Sequence, residues 1–198
     1  MPKLLLATTN PAKLREYLLL LGDLPWRLVT PAEEGLKIVV DETGTTLEEN
    51  AKLKASAYAD QSQLLTLADD SGLEVDVLGG EPGPLSSRYA GQGASDKEKM
   101  ALLLSRLRGI PWERRSACFR CVIAIASPRG GIELCGGECQ GAISFQPRGG
   151  QGFGYDPIFY LPQRGKTMAE LSVEEKNKLS HRGKAAEKAC QLLREIYS

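Results

Sequence analysis

Short continuous apolar runs alternate along this chain with longer segments whose apolar residues recur at helical spacing. Lys3-Leu-Leu-Leu-Ala-Thr8 has the character of a strand buried on both faces, and it breaks at Thr9-Asn10-Pro11. Ala12 to Leu21 then carries a dense apolar helix that stops at Gly22, with Asn10 suited to the N-cap and Pro11 to the first helical position. Trp26 to Thr30 completes a β-α-β start. Thr46 and Glu49 have capping-box spacing ahead of a second helix, on which Leu47, Ala51, Ala55 and Tyr58 share one face.

The run Leu64-Leu-Thr-Leu-Ala68 predicts a central buried strand that ends abruptly in Asp69-Asp70-Ser71-Gly72. An irregular loop follows from Gly79 to Pro84 and continues to Ser86-Ser-Arg88-Tyr89. A third helix opens at Ser95 with a capping box to Glu98 and stops at Gly109, burying Met100, Leu103, Leu104 and Leu107. Arg115 to Ala126 and Ile132 to Gln140, joined by Pro128-Arg-Gly-Gly131, read as a hairpin. Gly149 to Gly154 runs into Tyr155-Asp-Pro157 and another strand-like segment, so it is not a dinucleotide fingerprint. A short helix over Ser172 to Asn177 and a longer one over Ser180 to Tyr197 finish an α/β pattern with no internal repeat.

Composition narrows the class without naming it. The 198 residues suit a single domain, residues 1–198, and 42% hydrophobic content provides a core. With 25 basic and 25 acidic residues the charge cancels, which argues against a stable nucleic-acid partner or a membrane surface. No apolar run approaches the length of a membrane span and the start lacks a signal-peptide layout, so a cytoplasmic location is expected. Five cysteines in mostly strand-like sequence read as reduced thiols. Cys118-Phe-Arg-Cys121 and Cys135-Gly-Gly-Glu-Cys139 superficially resemble halves of a zinc site, but residues three apart on a strand point to opposite faces.

Five separated stretches carry more polar chemistry than packing needs. Thr8-Thr9-Asn10-Pro-Ala-Lys13 lies between a strand and a helix start, where unpaired N–H groups and a lysine suit a phosphate; plain helix capping explains it equally well. Glu42 and Asp70 are carboxylates on different segments that could meet at a hard cation such as magnesium, although Glu42 alone reads as a solvated loop charge. Open α/β sheets bind ligands beyond the carboxyl ends of their strands, which suits Asp69-Asp70-Ser71 as a site; a turn after a strand explains the same residues equally well. Phe153-Gly154-Tyr155-Asp156 could stack on a flat base and accept from a ring N–H, or could be core aromatics with a turn glycine. Lys176 and Ser180-His181-Arg182 open the last helix, and Arg182 could donate to a purine carbonyl that adenine lacks.

Taken in order, these pieces resemble the inosine triphosphate pyrophosphatase family, the Ham1-like nucleotide hydrolases. The resemblance rests on Ala7-Thr-Thr-Asn-Pro-Ala-Lys13, Glu42-Thr-Gly44 with Glu49-Asn-Ala51, Ala68-Asp-Asp-Ser-Gly72 with Val75-Asp-Val-Leu-Gly-Gly80, Ser87-Arg-Tyr89, Gly152-Phe-Gly-Tyr-Asp-Pro157 and Ser180-His-Arg-Gly183. Thr9 departs from the glycine usual there. The resemblance implies an elongated two-lobed α/β fold around a central mixed sheet, with flanking helices, a substrate cleft between the lobes and a homodimer. It implies Mg2+-dependent hydrolysis of ITP, dITP and XTP to the monophosphate and pyrophosphate. Thr8, Thr9, Asn10, Lys13, Ser71 and Lys176 would hold phosphates. Glu42 and Asp70 would serve the metal, with Asp70 the proton acceptor. Phe153, Gly154, Tyr155, Asp156, His181 and Arg182 would read the base. The competing readings are a Maf-like pyrophosphatase for modified pyrimidines and a non-catalytic nucleotide sensor; substrate preference and turnover separate them.

Overall fold

The computed structural model describes residues 1–197, with side chains through Glu195. Its strands are β1 (Lys3–Leu6), β2 (Arg27–Val29), β3 (Leu65–Val75), β4 (Pro82–Gly83), β5 (Ser116–Ser127), β6 (Gly131–Ile143), β7 (Phe159–Leu161) and β8 (Lys166–Thr167). Its α-helices are α1 (Pro11–Leu20), α2 (Leu47–Ser62), α3 (Asp96–Arg106), α4 (Val173–Leu179) and α5 (His181–Tyr197). The strands form a mixed sheet in the order β2-β1-β3-β5-β6-β7-β8, with β4 paired to β3. β1 runs parallel to both β2 and β3, whereas β3–β4, β6–β7 and β7–β8 are antiparallel.

The contacts divide the chain into two compact units. The first comprises residues 1–70, 121–137 and the chain from Arg182 onward; the second comprises residues 71–120 and 138–181. In the first unit the period-2 alternation of the strands sorts the helices onto two faces. Leu4, Leu6 and Leu67 pack with Tyr17 and Leu21 of the α1 region and with Ala185, Ala186, Ala189 and Leu193 of α5. Leu5, Ala7 and Ala68 pack on the other side with Leu47, Ala51, Ala55, Tyr58 and Ala59 of α2. The alanines let each helix approach the sheet closely. The second unit has its own core, in which Met100, Leu103 and Leu107 of the α3 segment meet Leu73, Val75, Phe119 and Phe159.

Local signals explain most element ends. The Asn10 carboxamide accepts from the amides of Ala12 and Lys13 at 2.9 and 3.2 Å, and Pro11 opens α1. Ser95–Glu98 and Ser172–Glu175 both close complete capping boxes. At α2 the cap is offset: Thr46 accepts from the Glu49 amide, while the Glu49 carboxylate reaches back to Thr45 instead.

One expectation is corrected. The central strand does not end at the carboxylates; β3 runs through Asp69, Asp70, Ser71 and Gly72 to Val75. Its first half pairs with β1 and its second half with β4, so hydrogen bonding is passed from one partner to the next across the acidic residues. Gly72 permits that exchange, because a Cβ there would collide with the Gly83 carbonyl. The four cysteines of the supposed zinc halves are also separated by packing. Cys121 and Cys135 lie in one core and Cys139 in another, and burial pushes the Cys118 and Cys121 thiols up to about 11 and about 12.

Candidate active site

The polar residues of the first unit gather around β3. Asp69 shares a face with Leu67 and Cys121, on the α1 and α5 side. Its Oδ2 sits 2.9 Å from Lys13 Nζ, 3.7 Å from Arg182 Nε and 3.8 Å from Cys121 Sγ. The Arg182 guanidinium is buried and bonds Glu16 at 2.6 Å. Burial by itself would raise the Asp69 pKa, but Lys13, Arg182 and Lys54 overcome it and hold the carboxyl well below the usual range. Asp69 is therefore an anchor, ionised at neutral pH, between the start of α1 and the start of α5.

Asp70 faces the α2 side and meets a different set. Asn50 Nδ2 donates to Asp70 Oδ2 at 3.1 Å, and Lys54 Nζ lies 3.8 Å from Oδ1 and 2.6 Å from Glu42 Oε1. Asn50 and Lys54 stand one helical turn apart on α2, so both reach the same strand. Asn50 also accepts from the Gly44 amide at 2.8 Å, and a Cβ at Gly44 would press on that oxygen at 2.7 Å. The bond fixes the segment that delivers Glu42. Burial, helped by Glu42, raises the Asp70 pKa against the pull of Lys54 and Lys13. Burial opposes charge on Lys54 as well, but Asp69, Asp70 and Glu42 together raise its pKa, so it stays protonated.

In the second unit a compact loop is built around Asp156. Its Oδ2 accepts from the Phe153 amide at 2.8 Å and from Lys176 Nζ at 2.5 Å. The Lys176 ammonium lies 4.8 Å from the centroid of the Phe153 ring, a cation–π contact. Gly152 has φ +75°, and a Cβ there would run into the Asp156 carboxylate. The Gly154 amide donates to Asp96 at 2.7 Å, and the Tyr155 hydroxyl donates to the Ser86 carbonyl at 2.9 Å.

The sequence profile of the Ham1 family matches residues 4–192 of this chain. The chain belongs to the Ham1 family. It is 48% identical over 195 residues to the dITP/XTP pyrophosphatase of Desulforamulus reducens, covering 98% of this chain and 97% of that protein. The dITP/XTP pyrophosphatase of Geobacter sulfurreducens is 49% identical over 185 residues, 93% of each chain. The solved structure of a HAM1 protein from Coxiella burnetii superposes with a TM-score of 0.90 at 43% identity, covering 99% of this chain and 100% of that one.

Within this Ham1 fold the residues singled out from sequence fall into two sets. Thr8, Thr9, Asn10, Lys13, Glu42, Asp70 and Arg182 belong to the first unit; Ser71, Phe153, Gly154, Tyr155, Asp156, Lys176 and His181 belong to the second. Thr9 and Asn10 are exposed, and Lys13 turns inward to Asp69. Three side chains have partners that the sequence does not announce. The Arg182 guanidinium is engaged by Glu16 and Asp69 within the first unit. The Tyr155 ring is core, because the left-handed turn at Gly154 (φ +64°) sends the Phe153 and Tyr155 side chains to different surroundings. Lys176, expected among the phosphate-binding residues, joins Asp156 and Phe153 within the second unit. His181 stacks on Phe119 with centroids 4.6 Å apart and planes 12° off parallel.

Lys54 and Asp96 went unmarked in the sequence, and Asn50 appeared only inside a motif. For Lys54 a signal existed: it follows Asn50 by four residues, on the flank of a helix whose Ala51–Ala55 face is buried. Asp96 reads as an ordinary acidic residue in a helix first turn, and nothing local marks its partner 58 residues away.

Proposed function

We propose that this chain hydrolyses ITP, dITP and XTP to the nucleoside monophosphate and pyrophosphate, which keeps deaminated purines out of DNA and RNA. The observation that carries this reading is the setting of Asp70. It is a nearly buried carboxylate with a raised pKa, beside a second carboxylate and a lysine, in a chain whose relatives are dITP/XTP pyrophosphatases. A base of raised pKa takes a proton from water more readily than a fully solvated carboxylate.

In the reaction Asp70 removes a proton from the attacking water as its oxygen bonds to the α-phosphorus. The bond from that phosphorus to the bridging oxygen breaks, and pyrophosphate leaves with the electron pair. Lys54 stabilises Asp70 after each proton is returned to solvent. Thr8, Thr9, Asn10, Lys13 and Ser71 bind the triphosphate, with Lys13 held by its buried counter-ion Asp69.

Magnesium fits the donor set. Glu42 and Asp70 are hard oxygen donors that already approach one cation, the Lys54 ammonium, and two carboxylates suffice when substrate phosphates and water complete the shell. Glu42 and Asp70 would hold the ion, which when bound neutralises charge on the phosphate oxygens.

Base selection falls to the loop of the second unit. The half-buried Phe153 ring offers a flat face, Lys176 a donor for a purine carbonyl, and Asp156 an acceptor for a ring N–H. Adenine would turn an amine toward an ammonium, which disfavours ATP. Family resemblance supports a homodimeric, cytoplasmic enzyme. Phosphorus NMR of the products tests the bond cleaved: IMP with pyrophosphate is expected from ITP, whereas IDP with orthophosphate contradicts the proposal.

A further inference from the structure

We propose that Asp96, in the first turn of α3, is a positioning residue for nucleobase discrimination, acting through its bond to the Gly154 amide. The inference rests on the assignment of the Phe153 loop to the base. Asp96 reaches that loop from 58 residues away, with Oδ2 2.7 Å from the Gly154 nitrogen. Its other oxygen, Oδ1, is 2.7 Å from Lys99 Nζ, one turn along the same helix, so the carboxylate is gripped from both sides.

The helix that presents Asp96 is itself fixed. Ser95 and Glu98 close a capping box at its start, and Met100, Leu103 and Leu107 are buried in the core of the second unit. The loop has further ties to its own neighbourhood: Phe153 to Asp156, Gln151 to the Ala169 carbonyl, and the Asp156 carbonyl to the Ala169 amide. Asp96 adds a side-chain tie from outside the segment. It falls on Gly154, whose φ of +64° makes the turn between the half-buried Phe153 ring and the core-bound Tyr155.

An acidic residue in a helix first turn also stabilises that helix through its dipole. The two roles separate by chemistry. The bond to Gly154 needs an acceptor oxygen, which asparagine retains; the dipole interaction needs the charge, which asparagine lacks.

The test compares Asp96→Ala, Asp96→Asn and Phe153→Ala. Two readouts are taken: hydrogen exchange at the Gly154 amide, and kcat/KM for ITP against ATP. Asp96→Ala is expected to lose protection at Gly154 and to narrow the ITP:ATP ratio about tenfold, mainly through KM for ITP, the size of effect expected for one lost hydrogen bond. Asp96→Asn should keep both close to the parent. If Phe153→Ala narrows the ratio but Asp96→Ala leaves it unchanged, or if the alanine and asparagine variants lose discrimination equally, the role of Asp96 is overturned. If Phe153→Ala itself leaves the ratio unchanged, the assignment of the loop to the base falls, and this inference with it.

Discussion

Asp69 and Asp70 are consecutive on β3, project to opposite faces of the sheet, and are driven in opposite directions as acids. Both are almost fully buried. On one face Asp69 meets Lys13 and Arg182, cations enough to outweigh its desolvation. On the other, Asp70 shares the Lys54 ammonium with Glu42 and keeps a raised pKa because burial outweighs the nearby cations. One residue anchors, and the next is the one to which the proposed function assigns the proton transfer. Strand alternation is enough to produce the division.

Neutralising the two acids should therefore change stability with opposite signs. Asp70→Asn removes a charge the fold holds at a cost, and the melting temperature is expected to rise, consistent with about 0.5–2 kcal/mol. Turnover of ITP should drop about a thousandfold or more with loss of the base. Asp69→Asn breaks a buried ion pair and should destabilise by about 3–5 kcal/mol. Thermal melts of both variants beside the parent decide the matter; a shared sign would contradict the two environments.

The pH dependence follows from the same two shifts. Asp69, with its depressed pKa, contributes stability that is present above the unfolded-state value and lost as pH falls through the lower folded value. Asp70, with its raised pKa, lowers stability as pH rises from the unfolded value through the folded one. Carboxyl NMR titration of the metal-free protein should find Asp70 raised above the ordinary aspartate value. Glu42→Gln should move that midpoint down and Lys54→Met should move it up. Movement of both variants in one direction would refute the assigned partners.

The outline of the fold was legible because its signals are local. Asn10-Pro11, Ser95 with Glu98, and Ser172 with Glu175 each mark a helix start with residues that satisfy the first-turn amides, and the structure uses all three. The run through Asp69 to Gly72 was misread as a strand end, because two acids, a serine and a glycine also describe a turn. What keeps those acids inside a strand comes from Lys13, Lys54 and Arg182, partners that no local pattern announces. The partners of Arg182, Tyr155 and Lys176 were not legible for the same reason: each lies far away in the sequence, at Glu16, Ser86 or Asp156.

Gly152→Ala should injure the loop of the second unit without touching the acidic cluster. The backbone there has φ +75° and the added methyl meets the Asp156 carboxylate. The expected result is a rise of about tenfold or more in KM for ITP, as the Asp156–Lys176 pair is displaced, with kcat less affected. Steady-state kinetics check it, and an unchanged KM would show that the pair is not used for binding.

Arg182→Ala leaves Asp69 and Glu16 without their shared guanidinium, and a loss of about 3 kcal/mol or more is expected for breaking such a buried contact. Chemical denaturation measures it. A variant as stable as the parent would contradict the anchoring role of the Asp69 cluster.

The measurement that bears most directly on the account is pyrophosphate release from ITP, XTP, dITP, ATP, GTP and UTP, with and without Mg2+, for the parent and Asp70→Asn. The account predicts rapid metal-dependent release from ITP, dITP and XTP, little from ATP, GTP or UTP, and near-complete loss in the variant. Release that favours UTP, no release from any nucleotide, or an Asp70→Asn enzyme that turns over ITP normally would contradict it.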